Sequence, residues 1–158
     1  MEDKFLTLEQ AIKKAEYFCS YQERCHIEVH QKLRSLGMFD TAIDHIINHL
    51  LENNFLNEER FAIAFSRGKH RFKRWGKRRI EQELKFRDIS SYNIKSALKE
   101  IEQEYLTNFY NYAAAKWEVM PDESLEKKKK KWADYFIRKG FETHLIYDFI
   151  KNLNNQNH

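Results

Sequence analysis

Residues 80–98 read IEQELKFRDISSYNIKSAL, with apolar side chains at Ile80, Leu84, Ile89, Ile94 and Leu98. The same five places recur twice in the chain. A step of 51 residues back falls on Val29, Leu33, Met38, Ile43 and Ile47, and a step of 52 forward falls on Trp132, Phe136, Phe141, Ile146 and Ile150. A fixed period that keeps every such place apolar marks a tandem repeat, in which each copy buries a stripe within itself and against its neighbour. Asp40, Ser91 and Thr143 stand where the third helix of each copy would begin, and all three side chains can accept from free backbone N–H groups there.

Outside these stripes the apolar residues also recur at helical spacing, while strand-like alternation is scarce. Only four Gly and one Pro occur in 158 residues, too little turn chemistry for a fold of hairpins. Thr7 with Gln10 and Ser20 with Glu23 have capping-box spacing, and Asn57 precedes two glutamates that favour a helix start. The pattern predicts nine helices, near 8–18, 21–36, 40–53, 58–73, 77–87, 91–104, 105–118, 123–139 and 143–153. The expected fold is all-α: three tandem three-helix repeats, at 1–56, 57–104 and 105–158, stacked into an elongated, curved array of the right-handed type.

Hydrophobic residues make up 42% of the chain and aromatics 15%, enough to pack a core despite 33% charged residues. The opening MEDKFLTLEQ has acids and no long apolar run, and no apolar stretch approaches the roughly 18 residues that a membrane span needs. With only two cysteines, the expectation is a reduced cytoplasmic protein without a disulfide framework.

The charge is local. There are 28 Lys+Arg against 24 Asp+Glu, and eight of the cations lie in RGKHRFKRWGKRR, residues 67–79, which holds no acid. Without that segment the net charge of +4 becomes −4, so the segment accounts for the positive balance. Clustered cations of this kind suit a polyanion. Arg67, Arg71 and Arg74 would present one guanidinium per turn, while Phe61, Phe65 and Phe72 would form the buried face of the same helix. Gly76 breaks the run, and Lys77, Arg78 and Arg79 open the next helix, where the dipole disfavours cations. An anion across the junction, held by guanidinium forks and by backbone donors at the helix start, would offset that cost. Trp75 is a candidate for stacking on bases or for the core. The candidate binding set is Arg67, Lys69, Arg71, Lys73, Arg74, Trp75, Lys77, Arg78 and Arg79. A second run, five lysines at 127–131, must point around most of a helix turn, so that at least one stem lies over Trp132 or Phe136. It can serve as a diffuse phosphate pad or as a solubilising surface.

Nothing here predicts catalysis. His26 with His30, and His45 with His49, have i, i+4 spacing, but two imidazoles do not make a metal site, and His45 and His49 fall opposite the stripe of Ile43, Ile47 and Leu50. Cys25 falls on the Val29 stripe and reads as a small buried hydrophobe, although Cys19, Cys25, His26 and His30 together have the residue types for zinc. There is no phosphate-binding glycine loop, nucleophile elbow or CxxC pair. The reading is no cofactor, no metal and no enzyme.

Residues 50–90, LLENNFLNEERFAIAFSRGKHRFKRWGKRRIEQELKFRDIS, resemble the central signature of the RecX family, bacterial regulators of the RecA recombinase. Leu50 and Leu51, Phe55 and Leu56, Arg60, Phe61 and Ala62, then Gly76, Arg79, Ile80, Glu83, Leu84 and Ile89 stand at the signature's places without a gap. Ala15, Ser20, Glu28 and Leu33 match its looser first-repeat pattern, and the third repeat matches by length and apolar positions only. Asn57 and Glu58 replace an acidic pair, and Asp88 replaces a glycine, so a left-handed turn there must be made by Asp. The resemblance implies three three-helix repeats and a monomer that binds the RecA recombinase filament along its groove. It also implies contact with single- and double-stranded DNA, and a limit on filament extension, ATP hydrolysis and strand exchange in recombination, repair and the SOS response. A general nucleic-acid-binding repeat protein with no recombinase partner is the alternative reading of the residues.

Overall fold

In the computed structural model, which describes residues 6–121 and 124–156, every regular element is a helix. The order is α1 (Leu8–Tyr21), α2 (His26–Ser35), α3 (Asp40–Glu52), α4 (Glu58–Lys73), α5 (Lys77–Phe86), α6 (Ser91–Lys99), α7 (Glu102–Val119), α8 (Leu125–Lys139) and α9 (Thr143–Gln156). Helices α1, α2 and α3 pack on one another, as do α4, α5 and α6, while α8 packs on both α7 and α9. The fold is thus an all-α repeat array.

The repeat read from sequence is visible in the burial. Val29, Ile80 and Trp132 are fully buried, Leu33, Leu84 and Phe136 nearly so or fully, and Ile43, Ile94 and Ile146 all lie in the core. The fifth place, Ile47, Leu98 and Ile150, is half-buried in all three copies, at the edge of each stripe. Between the second and third helix of each copy the chain turns through a left-handed residue: Gly37 (φ 85°), Asp88 (φ 57°) and Gly140 (φ 92°). Asp88 does take the strained place, as its short side chain permits.

Some helix ends differ from expectation. α1 continues to Tyr21 because the Ser20 hydroxyl turns back to the Glu16 carbonyl (2.8 Å), so Ser20 caps nothing. The box before α2 is formed five residues later, where Glu28 accepts from the Cys25 N–H (3.3 Å). Asp40, Ser91 and Thr143 are the first helical residues rather than caps; Phe39 and Ser90 take the cap positions, and the Ser90 hydroxyl accepts from the Asn93 N–H at 3.2 Å. The expected break at 104/105 lies inside α7. The chain instead turns at Glu100 and Ile101, because Ile101 enters the core completely. Residues 122 and 123, the first of which precedes the expected eighth helix, lie outside the described set.

Two apolar clusters fill the array. One is confined to α1–α3 and the residue Leu56 that follows them. The other runs continuously from α4 to α9 and includes Phe61, Tyr105, Phe109, Trp132, Phe136 and Phe141. Phe72, expected in the core, is 86% exposed. The buried line of α4 runs Ala62, Ser66, His70, an i, i+4 ridge that drifts around the helix and leaves Phe72 outside by the last turn.

Candidate nucleic-acid interface

The end of α4 is fixed by a buried histidine. His70 is fully buried, with Nδ1 2.9 Å from the Trp75 carbonyl and Nε2 3.1 Å from the Asn108 amide nitrogen. A carbonyl only accepts and an amide NH2 only donates, so the ring is the neutral Nδ1–H form. Burial pushes its pKa below the usual value and keeps it so. The ring also stacks on Tyr105 at 5.2 Å. Arg74 then takes a left-handed conformation (φ 58°), and the Trp75 N–H returns to the Lys69 carbonyl (3.0 Å). The turn that carries the basic run is therefore held rigidly.

The run divides into two sides. Arg67 pairs with Glu100 (2.6 Å), Arg71 makes a forked contact to Glu104 (2.6 Å at its closest), and Lys77 pairs with Glu102 (2.6 Å). Arg71 holds the Glu104 carboxyl below its ordinary pKa, and Glu104 also accepts from Asn108, which ties this pair to His70. These three cations are balanced by Glu100, just after α6, and by Glu102 and Glu104 in the first turn of α7.

The start of α5 also differs from expectation. Its free N–H groups meet no open space: Gly76 donates to the Lys139 carbonyl (2.7 Å), Lys77 to the Tyr105 hydroxyl (3.0 Å) and Arg78 to the Gly140 carbonyl (3.0 Å). The C-terminus of α8 abuts the N-terminus of α5, so the two dipole ends offset one another and no external anion is needed there. The approach is so close that a Cβ on Gly76 would sit 2.4 Å from the Gly140 backbone.

On the other side of the run, Lys73, Arg74, Arg78 and Arg79 have no carboxylate partner among the described residues. Arg74 lies over the Tyr112 ring (4.8 Å), and Arg79 lies over Trp75 (4.1 Å) and donates to the Arg138 carbonyl. Lys139 joins them from α8, donating to the Lys73 carbonyl (3.2 Å), and Lys116 joins from α7, over the Tyr135 ring (4.3 Å). Burial first, then the nearby charges of Arg79, Lys73, Arg74 and Lys116, depress the Lys139 pKa. An ammonium crowded by four cations is a place where an anion would bind favourably. Sequence reasoning missed Lys116 and Lys139, which lie far along the chain; the signal was the repeat itself, which sets the end of α8 against the start of α5.

Trp75 is half-buried against Phe65 and carries Arg79 and Lys69 (5.0 Å) on its ring, so the residue exposed for stacking is Phe72 instead. In the lysine run, Lys128 places its ammonium over the Trp117 ring (4.3 Å) and Lys129 donates to Asn154. His49 is half-buried and contacts Glu16 of α1 (3.2 Å). Both cysteines are buried and free, and burial raises their pKa values, that of Cys19 to about 11. No metal-holding group occurs among the described residues. No helix there is long and apolar enough to cross a membrane.

Residues 57–98, from the α4 cap into α6, match the family model described as RecX, second three-helix domain. Fold and sequence together define an all-α array of three-helix units with a RecX-type central unit. Two relatives, both regulatory proteins RecX, span nearly the whole chain. That of Bacillus cytotoxicus is 26% identical over 147 residues, 92% of this chain and 54% of its own length. That of Bacillus thuringiensis is 23% identical over 150 residues, 94% of this chain and 56% of its own. The chain thus spans about half the length of these relatives. Crystal structures agree on the fold. RecX from Lactobacillus salivarius superposes with a TM-score of 0.74 at 23% identity, covering 93% of this chain and 96% of that one. A second regulatory protein RecX gives 0.76 at 19% identity, covering 96% and 82%. Residues 57–98 thus match the second three-helix domain of RecX, and nearly the whole chain is similar to regulatory proteins RecX.

Proposed function

We propose that the chain is a RecX-type regulator that binds the RecA recombinase filament and its DNA, and thereby limits filament extension, ATP hydrolysis and strand exchange without catalysing a reaction. The observation that carries this reading is the divided basic run. One side is neutralised by the protein's own glutamates, and the other gathers Lys73, Arg74, Arg78, Arg79, Lys116 and Lys139 from three parts of the chain, with no carboxylate partner among the described residues. Those six face phosphate or acidic side chains of the filament.

The test is strand exchange by RecA, titrated with the wild type and with the variant R74A/R78A/K116A/K139A. The wild type inhibits at amounts well below the recombinase, and the variant loses inhibition. Its single-strand affinity falls, with a log–log salt slope reduced by about 0.7 for each phosphate contact removed. By contrast, R67A/E100A removes an internal pair and leaves inhibition in place. Inhibition that needs enough protein to coat the DNA would favour a general nucleic-acid binder over a recombinase regulator.

A further inference from the structure

A surface pocket far in sequence from the basic run lies between α1 and α2, with a volume of about 480 Å³. That is in the range of small-ligand sites. Its charged lining is Lys13, Lys14, Arg24 and Lys32, and its aromatic lining is Tyr17, Phe18 and Tyr21; no carboxylate lines it. The floor is fixed. Arg24 lies over the Phe18 ring at 3.7 Å, and its Nε donates to the Phe18 carbonyl (2.9 Å). The rim is open. Tyr17 and Tyr21 are each 73% exposed and stand one turn apart on α1, with Lys13 one turn before them.

The acids of this region turn elsewhere. Glu16 contacts His49, Glu23 takes Arg60, and Glu28 serves the Cys25 N–H and the flank of Arg24. Lys13, Lys14 and Lys32 have no carboxylate partner among the described residues. Two exposed tyrosines on one helix face, bordered only by cations, fit a ligand with alternating flat apolar faces and anionic links. Base stacking on aromatic side chains with lysines along the backbone is how unpaired nucleic acid is held. A paired duplex keeps its base faces covered, and an acidic peptide without aromatic or apolar side chains has no use for the two rings.

We propose that this pocket is a single-stranded nucleic-acid site on the first unit, with Tyr17 and Tyr21 stacking bases and Lys13, Lys14 and Lys32 taking the phosphates. It is separate from the face at the α4–α5 turn and stands whether or not that face binds the recombinase.

The probe is a fluorescein-labelled oligothymidylate, its affinity for the full chain read by anisotropy. The same oligomer with 5-bromouracil is photo-crosslinked and the crosslinked peptide identified. Crosslinks are expected at Tyr17 or Tyr21. Y17A/Y21A should weaken binding at least about fivefold, and K13A/K14A/K32A should lower the log–log salt slope by roughly 2. Both effects should persist in the R74A/R78A/K116A/K139A background, which separates this site from the junction face. Circular dichroism checks that the exposed-residue variants keep the fold. Unchanged affinity in folded Y17A/Y21A, crosslinks confined to the α4–α5 turn, or equal competition by oligoglutamate of matched charge would each overturn the proposal.

Discussion

The first three helices and the last six solve the same packing problem differently. In α1–α3 the buried residues are mainly small or aliphatic, such as Ala11, Ala15, Val29, Leu33, Ile43 and Leu50, and their cluster closes on itself. From α4 onward the core is aromatic and continuous across two copies of the repeat, with Phe109 touching Phe136 (5.8 Å) and Phe141 (5.1 Å), and Trp132 touching Phe149 (4.5 Å). The joints differ accordingly. Between the second and third copies lie a helix-end contact, a buried histidine and shared rings. Between the first and second copies lie Cys25 and Ile27 at the edge of the aromatic core and one ion pair, Arg60 with Glu23. A repeat in sequence therefore does not imply equal joints: wide rings reach across to the next copy, and aliphatic stripes do not.

The largest effect that separates the two regions is a core truncation on each side. Phe109→Ala should cost about 3–5 kcal/mol and Leu33→Ala about 2–5 kcal/mol. What differs is the extent of the damage. By amide hydrogen exchange, Phe109→Ala should lower protection throughout α4–α9, while Leu33→Ala should lower it in α1–α3 alone. Equal loss over the whole chain from Leu33→Ala would erase the distinction.

Next is Gly76→Ala. The added Cβ would meet backbone rather than a flexible side-chain end, so the close contact of α8 and α5 must open, at a cost of about 3 kcal/mol. The exchange of α8 and α9 should rise most. Gly68→Ala is the control, because nothing lies within 4 Å of a Cβ there, and it should keep the wild-type melting temperature or raise it.

His70 gives a smaller effect and a direction in pH. Replacement by Ala leaves the Trp75 carbonyl and the Asn108 amide without their partner, about 2 kcal/mol. In the wild type the folded pKa is below the unfolded value of about 6.5. Between the two the unfolded chain binds more protons, so stability is full above about pH 6.5 and falls as the pH drops toward the folded pKa. Thermal melts from pH 7.5 to 5.5 should fall more steeply for the wild type than for His70→Gln, and α1–α3 should share less in the loss.

How much of this was legible beforehand follows from what each feature depends on. The helices and the repeat depend on local periodicity, and the α4 bounds, the Asn57 cap and the left-handed Asp88 all follow from nearby residues. Phe72 was misplaced because an i+11 spacing assumes a buried face that does not drift. The division of the basic run was hidden because Glu100, Glu102 and Glu104 are 25 to 33 positions from their partners. Likewise, the pocket beside Tyr17 depends on α2 bringing Lys32 to α1, which no spacing within α1 reveals.

The smallest effect sharpens the comparison most directly, because it concerns the weak joint itself. Arg60 donates to Glu23 at 2.6 Å and also holds the Asn54 and Phe55 carbonyls, so it fastens the loop before α4 as well as the first copy. Both side chains of the pair are about a third exposed, and the second Glu23 oxygen is buried with no hydrogen-bond partner among the described residues. Water screens such a pair, and the unused oxygen offsets part of its gain. A double-mutant cycle of Arg60→Ala and Glu23→Gln should therefore give a coupling of about 1 kcal/mol or less, and raising the salt should shrink it. A cycle of Arg71→Ala and Asn108→Ala at the other joint should give the larger coupling, since Glu104 connects both to buried His70. If the Arg60–Glu23 coupling proves the larger, the first copy is joined as firmly as the third, and the contrast between the two regions rests on their cores alone.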